Sequence, residues 1–438
     1  MSKRAFAGIT ALSLCSLGVF GNVGGCGGGQ MPSTPSSGVN HDAHTVFEGG
    51  DAASDGATVV DNGDVGSANS LDSSAANPDV GVPDVSPGVD SSQPATPDGA
   101  PTGPSLDGGM VDGTSAGLDP SVLAIMRKVA DWQLQQAGIN AIDWIHGAMW
   151  TGILATYQVT GDVKYRDAAK GWGQNNNWSL TGGVTTNADN QCAAQTYFDL
   201  YLLDPIALNM AFITKAKPSF DAMLASGNTG WTWADSLFMS PPGLTRLGAI
   251  TSDTRYFQLL HTNWWNAYAA MFSPADGLMY RDPPRGAGNG IFWARGNGWV
   301  IAGTARVLEY LPKTEPRRPE YVKMLTTMAA ALKPWQGADG LWRADITHPA
   351  AFANPETSGT GFMTFAMAWG INNAILDRAT YLPVVKAGWQ GLVGNVDAAG
   401  RLGFVQGVGA APAAATPTSN APYGVGAFLL AGSEVAKL

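Results

Sequence analysis

From Pro120 onward apolar residues recur every three or four positions, and long alternating runs of β-branched residues are missing, so the pattern predicts helices. Leu123, Met126, Val129 and Trp132 form one stripe, and Ala148, Ile153, Leu154 and Tyr157 form the next. The chain then reads Thr160–Gly161–Asp162–Val163–Lys164–Tyr165, in which the glycine ends one helix and the aspartate caps the next. The same device returns as Thr251–Ser252–Asp253–Thr254–Arg255–Tyr256 and, more weakly, as Leu376–Asp377–Arg378–Ala379–Thr380–Tyr381. Repeated punctuation of this kind signals repeated helix pairs. Twelve helices are predicted, near 120–133, 146–158, 162–173, 188–202, 205–224, 236–247, 253–270, 296–310, 318–333, 359–372, 378–393 and 423–434. Six hairpins fit an all-α fold, a closed (α/α)6 barrel of six inner and six outer helices. A superhelical rod of repeats is the alternative, but its loops should be more uniform. Here the loops carry Trp231, Trp233, Trp293 and Trp342, with Gly-Asn clusters at 288–290 and 296–298, as a pocket rim would.

Charge divides the chain into three. Residues 27–118 hold 13 acids, no Lys or Arg, and one aromatic, Phe47, too little apolar surface to offset chain entropy. This stretch is expected to be a disordered Ser/Pro/Gly/Asp-rich spacer. Residues 119–438 hold 22 acids, 23 Lys and Arg, and all 15 tryptophans, and read as one catalytic-sized body. The acidity behind the net charge of −10 therefore belongs to the spacer, which alone carries 13 negative charges. A near-neutral body offers no electrostatic case for nucleic-acid binding. Residues 1–26 open with Lys3 and Arg4, followed by a small, apolar run to Phe20, the pattern of an export signal too short to span a bilayer. Val23–Gly24–Gly25–Cys26 resembles the lipobox of bacterial lipoproteins. That resemblance implies lipid on Cys26 and a membrane-anchored protein facing the periplasm or cell surface, against the alternative of an ordinary cleaved signal. Only Cys192 remains in the body, so no intradomain disulfide or cysteine-rich metal site is expected.

Two acids stand at the starts of predicted helices. Trp231, Trp233 and Asp235 are spaced two apart, so in extended chain they point the same way. Asp235 either caps the following helix or is a carboxyl pressed between aromatic faces, with the raised pKa that a general acid needs near neutrality. Asp189, in Thr186–Asn187–Ala188–Asp189–Asn190–Gln191, is likewise a second carboxylate or another cap. Paired acids at the mouth of a helical barrel suit sugar chemistry. In Phe292–Trp293–Ala294–Arg295–Gly296–Asn297–Gly298–Trp299, the tryptophans supply flat surfaces and Arg295 a two-pronged partner for a carboxylate. The segment lacks the strand and lysine of a phosphate loop. His146 and His261 are divided between packing and a pocket role, and no His pairing suits a metal.

Together these loops resemble the unsaturated rhamnogalacturonyl hydrolases of glycoside hydrolase family 105 and the related unsaturated glucuronyl hydrolases of family 88. The matching stretches are Trp231–Met239, Asp276–Asp282, Phe292–Trp299, Asn354–Phe362, Trp369–Asn372 and Tyr423–Glu434. The resemblance implies an (α/α)6 barrel that removes a nonreducing 4,5-unsaturated uronate from lyase-generated oligosaccharides of the pectin type, by hydrating the C4=C5 bond. It implies Asp235 as proton donor, Asp189 as the second acid, and Trp233, Trp293 and Trp299 as aromatic walls, with Arg295 near the uronate and no metal or organic cofactor. Some family members place a histidine around the segment that here reads Leu278–Met279–Tyr280–Arg281, which leaves Arg281 or His261 to substitute. Two alternatives remain: a hydrolase for unsaturated glucuronyl ends of glucuronan, ulvan or glycosaminoglycan, and a non-catalytic surface glycan-binding lipoprotein.

Overall fold

A computed structural model describes residues 117–203, 210–283 and 291–438. The expected export signal, Cys26, the acidic spacer up to residue 116 and the Gly-Asn cluster at 288–290 lie outside the described residues, as does the start of the helix expected at 205–224.

All twelve expected helices are present, three of them divided in two. The helices are α1 (Pro120–Leu134), α2 (Trp144–Thr160), α3 (Val163–Asn175), α4 (Ala188–Gln191), α5 (Ala194–Leu203), α6 (Ala211–Thr214), α7 (Lys217–Ser226), α8 (Ser236–Met239), α9 (Pro241–Thr251), α10 (Thr254–Met271), α11 (Ala294–Tyr310), α12 (Arg318–Leu332), α13 (Thr357–Asn372), α14 (Arg378–Val393) and α15 (Pro422–Val435). Two of the divisions have a sequence cause. Pro218 and the Pro241–Pro242 pair have no N–H to continue a preceding helix, so α7 and α9 start afresh with proline in their first turn. A two-residue antiparallel ladder, β1 (Phe272–Ser273) with β2 (Leu278–Met279), follows α10.

The helix contacts form a closed ring. α2 packs on α5, α5 on α9, α9 on α11, α11 on α13, α13 on α15, and α15 returns to α2. Outside it, α1 packs on α15 and α2, α3 on α2 and α5, α10 on α9, α12 on α11 and α13, and α14 on α13 and α15. α7 meets α10 and reaches α5 through Phe220 on Phe198, ring centroids 5.7 Å apart. Each hairpin runs outer to inner, so the six inner helices are parallel and their N-termini gather at one end. α13 and α15 are buried along almost their whole length, as helices inside a ring of helices must be. The predicted punctuation holds in part: Gly161 and Ser252 adopt left-handed backbone at φ 70° and 54°, and Tyr165 and Tyr256 are buried one turn later, donating to Asp131 and Asp221. Asp253 caps α10 through the Arg255 N–H, whereas Asp162 makes no side-chain cap bond to α3, because its carboxylate accepts from Arg127 Nε at 2.6 Å.

Ring closure depends on backbone touching backbone. A Cβ on Gly426 of α15 would lie 2.3 Å from the Ala148 carbonyl oxygen of α2, and one on Gly152 of α2 would lie 2.5 Å from the Gly426 carbonyl oxygen. Replacing Gly426 with alanine must push two inner helices apart, an overpacking cost of about 1–3 kcal/mol. Gly171 of α3 offers the opposite case, since nothing lies within 4 Å of its added Cβ. In urea unfolding, Gly426→Ala is expected to lower stability, and Gly171→Ala to raise it by about 0.5–1 kcal/mol through better helix propensity. An unchanged midpoint for Gly426→Ala contradicts the close approach.

Candidate active site

Where the inner N-termini gather, a cavity of about 310 Å³ is lined by Trp144, Asp189, Trp233, Asp235, Met239, Arg281, Trp293, Arg295, Trp299, Val408, Gly409 and Ala410. Trp144 begins α2, Asp189 lies on α4 before α5, Asp235 precedes α8 and α9, and Trp293 to Trp299 begin α11. The helix-end partial charges there favour an anion.

Neither acid is spent on capping. Asn187 caps α4, its side chain accepting from the backbone N–H groups of Asp189 and Asn190. Asp235 stands before α8 with helical backbone angles and accepts no cap hydrogen bond. Its residue is 8% exposed, Oδ2 accepts from Arg281 Nε at 3.1 Å, and buried Oδ1 has no partner among the described residues. Burial pushes the Asp235 carboxyl up, against the lowering influence of Arg281 and Arg295. Asp189 is pushed up to about 6, mainly by burial and then by the neighbouring charge of Asp235, with Arg281 opposing. The result is two poorly solvated carboxyls that disfavour double ionisation.

Arg281 is positioned by the motif that carries Arg295. Asn297 Nδ2 donates to the Met279 carbonyl at 3.0 Å, while Met279 N–H donates to Asn297 Oδ1 at 2.8 Å. The Ala234 N–H donates to the Arg281 carbonyl at 2.8 Å, tying this chain to the Asp235 segment. Besides Asp235, Arg281 bonds Asp282 through Nη1 at 2.6 Å. Of the two residues the sequence left open, Arg281 is the one that lines the cavity.

Arg295 differs from expectation. It is 1% exposed, and Nη1 donates to the Gln406 carbonyl at 2.6 Å and the Tyr423 hydroxyl at 3.0 Å. Nη2 donates to the Gly407 and Gly409 carbonyls at 3.0 and 3.4 Å. The guanidinium lies between Trp293 and Tyr423, 4.5 and 4.8 Å from the ring centroids. Its two-pronged end therefore holds the 406–409 segment, which forms one wall of the cavity, and is not free to grip a carboxylate.

His261 does not line the cavity. It sits on outer α10, buried, with Nδ1 3.0 Å from the Tyr321 hydroxyl and Nε2 3.0 Å from Glu315. His146 does not line it either; its Nδ1 is 2.7 Å from Asp143, the acid that caps its own helix. Trp342 is core, donating to the Leu332 carbonyl, and Trp231 is buried away from the cavity. Trp233, Trp293 and Trp299 do line it. Sequence reasoning missed Trp144, which stacks on Tyr423 at 5.3 Å, as well as Met239 and the 408–410 wall. Trp144 was findable, because it occupies on α2 the helix-entry position that supplies cavity residues at α4, α8 and α11.

The family model described as Glycosyl Hydrolase Family 88 matches residues 120–438. Unsaturated 3S-rhamnoglycuronyl hydrolases from Formosa agariphila and an Alteromonas species are 34% and 31% identical to the chain. These matches cover 74% and 73% of the chain, and 92% and 86% of the relatives. A solved glycosyl hydrolase family 88 structure from Bacteroides vulgatus is similar with a TM-score of 0.67 at 30% identity, covering 73% of this chain and 98% of that one.

A carboxyl raised from 3.8 to about 6 costs stability as pH rises through that window, because the unfolded chain ionises more readily. Asp189→Asn removes that cost. Its melting temperature is expected to exceed that of the wild type by a few degrees at pH 8 and to converge with it near pH 4. A variant less stable than the wild type at pH 8 rules out the strained acid.

Proposed function

Since this chain belongs to glycosyl hydrolase family 88, we propose that it removes a 4,5-unsaturated uronyl residue from the nonreducing end of lyase-made oligosaccharides, with rhamnose as the next sugar. The observation that carries this reading is the pair of carboxyls, Asp235 buried and Asp189 half-buried, neither used as a cap, on one tryptophan-walled cavity. In the proposed reaction Oδ2 of Asp235 keeps the Arg281 hydrogen bond, and Oδ1 carries the proton. Delivery of that proton to C4 places positive charge on C5 and the ring oxygen. Water adds at C5 and returns a proton to Asp235, and the resulting hemiketal opens and expels the aglycone. Asp189 holds ring hydroxyls and disfavours ionisation of Asp235. Arg281 and the inner-helix N-termini supply the positive field for the uronate.

Glucuronate and galacturonate differ only at C4, and lyase elimination flattens that carbon, so both leave the same unsaturated residue. Discrimination therefore falls to the next sugar. Rhamnose is supported by the names of the two relatives above 30% identity. It is also supported by Val408, whose 64% exposed side chain offers an apolar contact for a 6-deoxy methyl group. Pectin-type and glycosaminoglycan-type disaccharides are the comparison substrates. For the N-terminal residues we propose export and lipid attachment at Cys26, from the Val23–Cys26 pattern.

Asp235→Asn is expected to keep the fold and lower kcat by about 10²–10⁴-fold, followed by loss of the ultraviolet absorbance of the conjugated double bond. Wild-type kcat should fall as pH rises and Asp235 loses its proton. In oxygen-18 water the label should enter at C5 of the keto sugar. Label at the anomeric carbon, or a fully active Asp235→Asn, overturns the mechanism. Cys26→Ser should move the protein from the membrane to the soluble fraction; unchanged partitioning rejects the anchor.

A further inference from the structure

The short helix α8 has an unusual C-terminus. Were it to continue, the N–H groups of residues 241 and 242 would bond the carbonyls of Leu237 and Phe238. Both positions are proline, so those carbonyls are orphaned. Gln195 of α5, fully buried, answers part of this: its Nε2 donates to the Phe238 carbonyl at 2.7 Å and the Met239 carbonyl at 3.3 Å. The amide is held in that orientation by Arg306 Nε, which donates to Gln195 Oε1 at 2.8 Å. Arg306 is itself fixed on Asp199 at 2.9 Å.

The next residue, Ser240, is also fully buried, and its Oγ donates to Gln191 Oε1 at 2.5 Å. Gln191 Nε2 is engaged by the Thr185 carbonyl and Met223 Sδ at 2.8 and 2.9 Å, which leaves Oε1 only to accept. Gln191 ends α4 two residues after Asp189, and Ser240 follows α8, which begins immediately after Asp235. The two acid-bearing helices are thus tied through buried side chains, with α5 bracing the second.

We propose that Gln191, Ser240 and Gln195 are positioning residues that fix the separation of Asp189 and Asp235. The inference rests on the proposed acid pair. In a poorly hydrated site the interaction of two charges depends steeply on distance. Asp189 and Arg281 bear on Asp235 from α4 and from the chain after β2, and Arg295 and Tyr423 from α11 and α15. With those groups unchanged, slackening the tie weakens the mutual repulsion of the acids and lowers both pKa values.

Ser240→Ala is the cleanest test, because it removes one oxygen and leaves no sizeable void. Its kcat is expected to fall about 10–100-fold, since displacements near 1 Å cost that much. KM should hold within about twofold. The alkaline limb of the kcat profile should move to lower pH. Gln191→Leu should do the same, and the double variant should lose no more than the worse single, as expected of partners in one bond. Carbon-13 NMR titration of the Asp189 carboxyl supplies a readout independent of turnover, and its midpoint should fall in Ser240→Ala. An unmoved midpoint with a superimposable pH profile overturns the clamp, even if melting temperature drops. If the wild type turns over no unsaturated disaccharide, the proposed function fails, and the titration still decides the clamp.

Discussion

The contact of α15 on α2 at Gly152 and Gly426 is the interaction on which the rest of the molecule depends. It joins the last inner helix to the first and converts a row of hairpins into a ring. Without it the N-termini of the inner helices would fan apart, and Trp144 and Tyr423 would lose the stacking that closes one side of the cavity. Side chains at these crossings would hold the helices too far apart, so the closure is written in small residues. The apolar patterning then follows: a helix with neighbours on every side is buried all round, and an outer helix on one face only.

Closing the ring places chemistry at a single end. Parallel inner helices present their N-termini together, so successive helix entries deliver Trp144, Asp189, Asp235 and the Trp293–Trp299 segment to one cavity. The same arrangement explains the division of labour between the two arginines. Arg295, clamped between Trp293 and Tyr423, draws the 406–409 chain over the cavity, where a planar two-pronged donor suits several carbonyls at once. Arg281 keeps its charge beside Asp235 and acts on the acid directly. A buried carboxyl with one unbonded oxygen is costly to a fold, and the packing around α8 sustains it.

The fold was legible in the sequence to a considerable depth, because its signals are local. Gly161 before Asp162 and Tyr165, and Ser252 before Asp253 and Tyr256, specify a helix end and a helix start over six residues. Three or four residues of spacing specify each buried stripe. Proline positions even account for the breaks before α7 and α9, which apolar periodicity alone passes over. Asp235 was legible for the same reason, as an aspartate at a helix entry beside Trp231 and Trp233, whereas Asp189 showed only the helix entry.

What tertiary structure alone decided is how each of those groups spends its hydrogen bonds. Asp189 is spared from capping because Asn187 caps α4 in its place, and Asp235, its backbone already helical, makes no cap bond and accepts from Arg281 instead. Arg295 anchors a wall because Gln406, Gly407 and Gly409, more than a hundred residues later, bring carbonyls to it. His261 belongs to Tyr321 and Glu315 across two outer helices, so it never reaches the cavity. Sequence by itself determined the helices, their pairing and the residue types brought to the mouth of the barrel. It could not determine which polar groups remain unsatisfied there, because that depends on partners supplied by ring closure from distant parts of the chain.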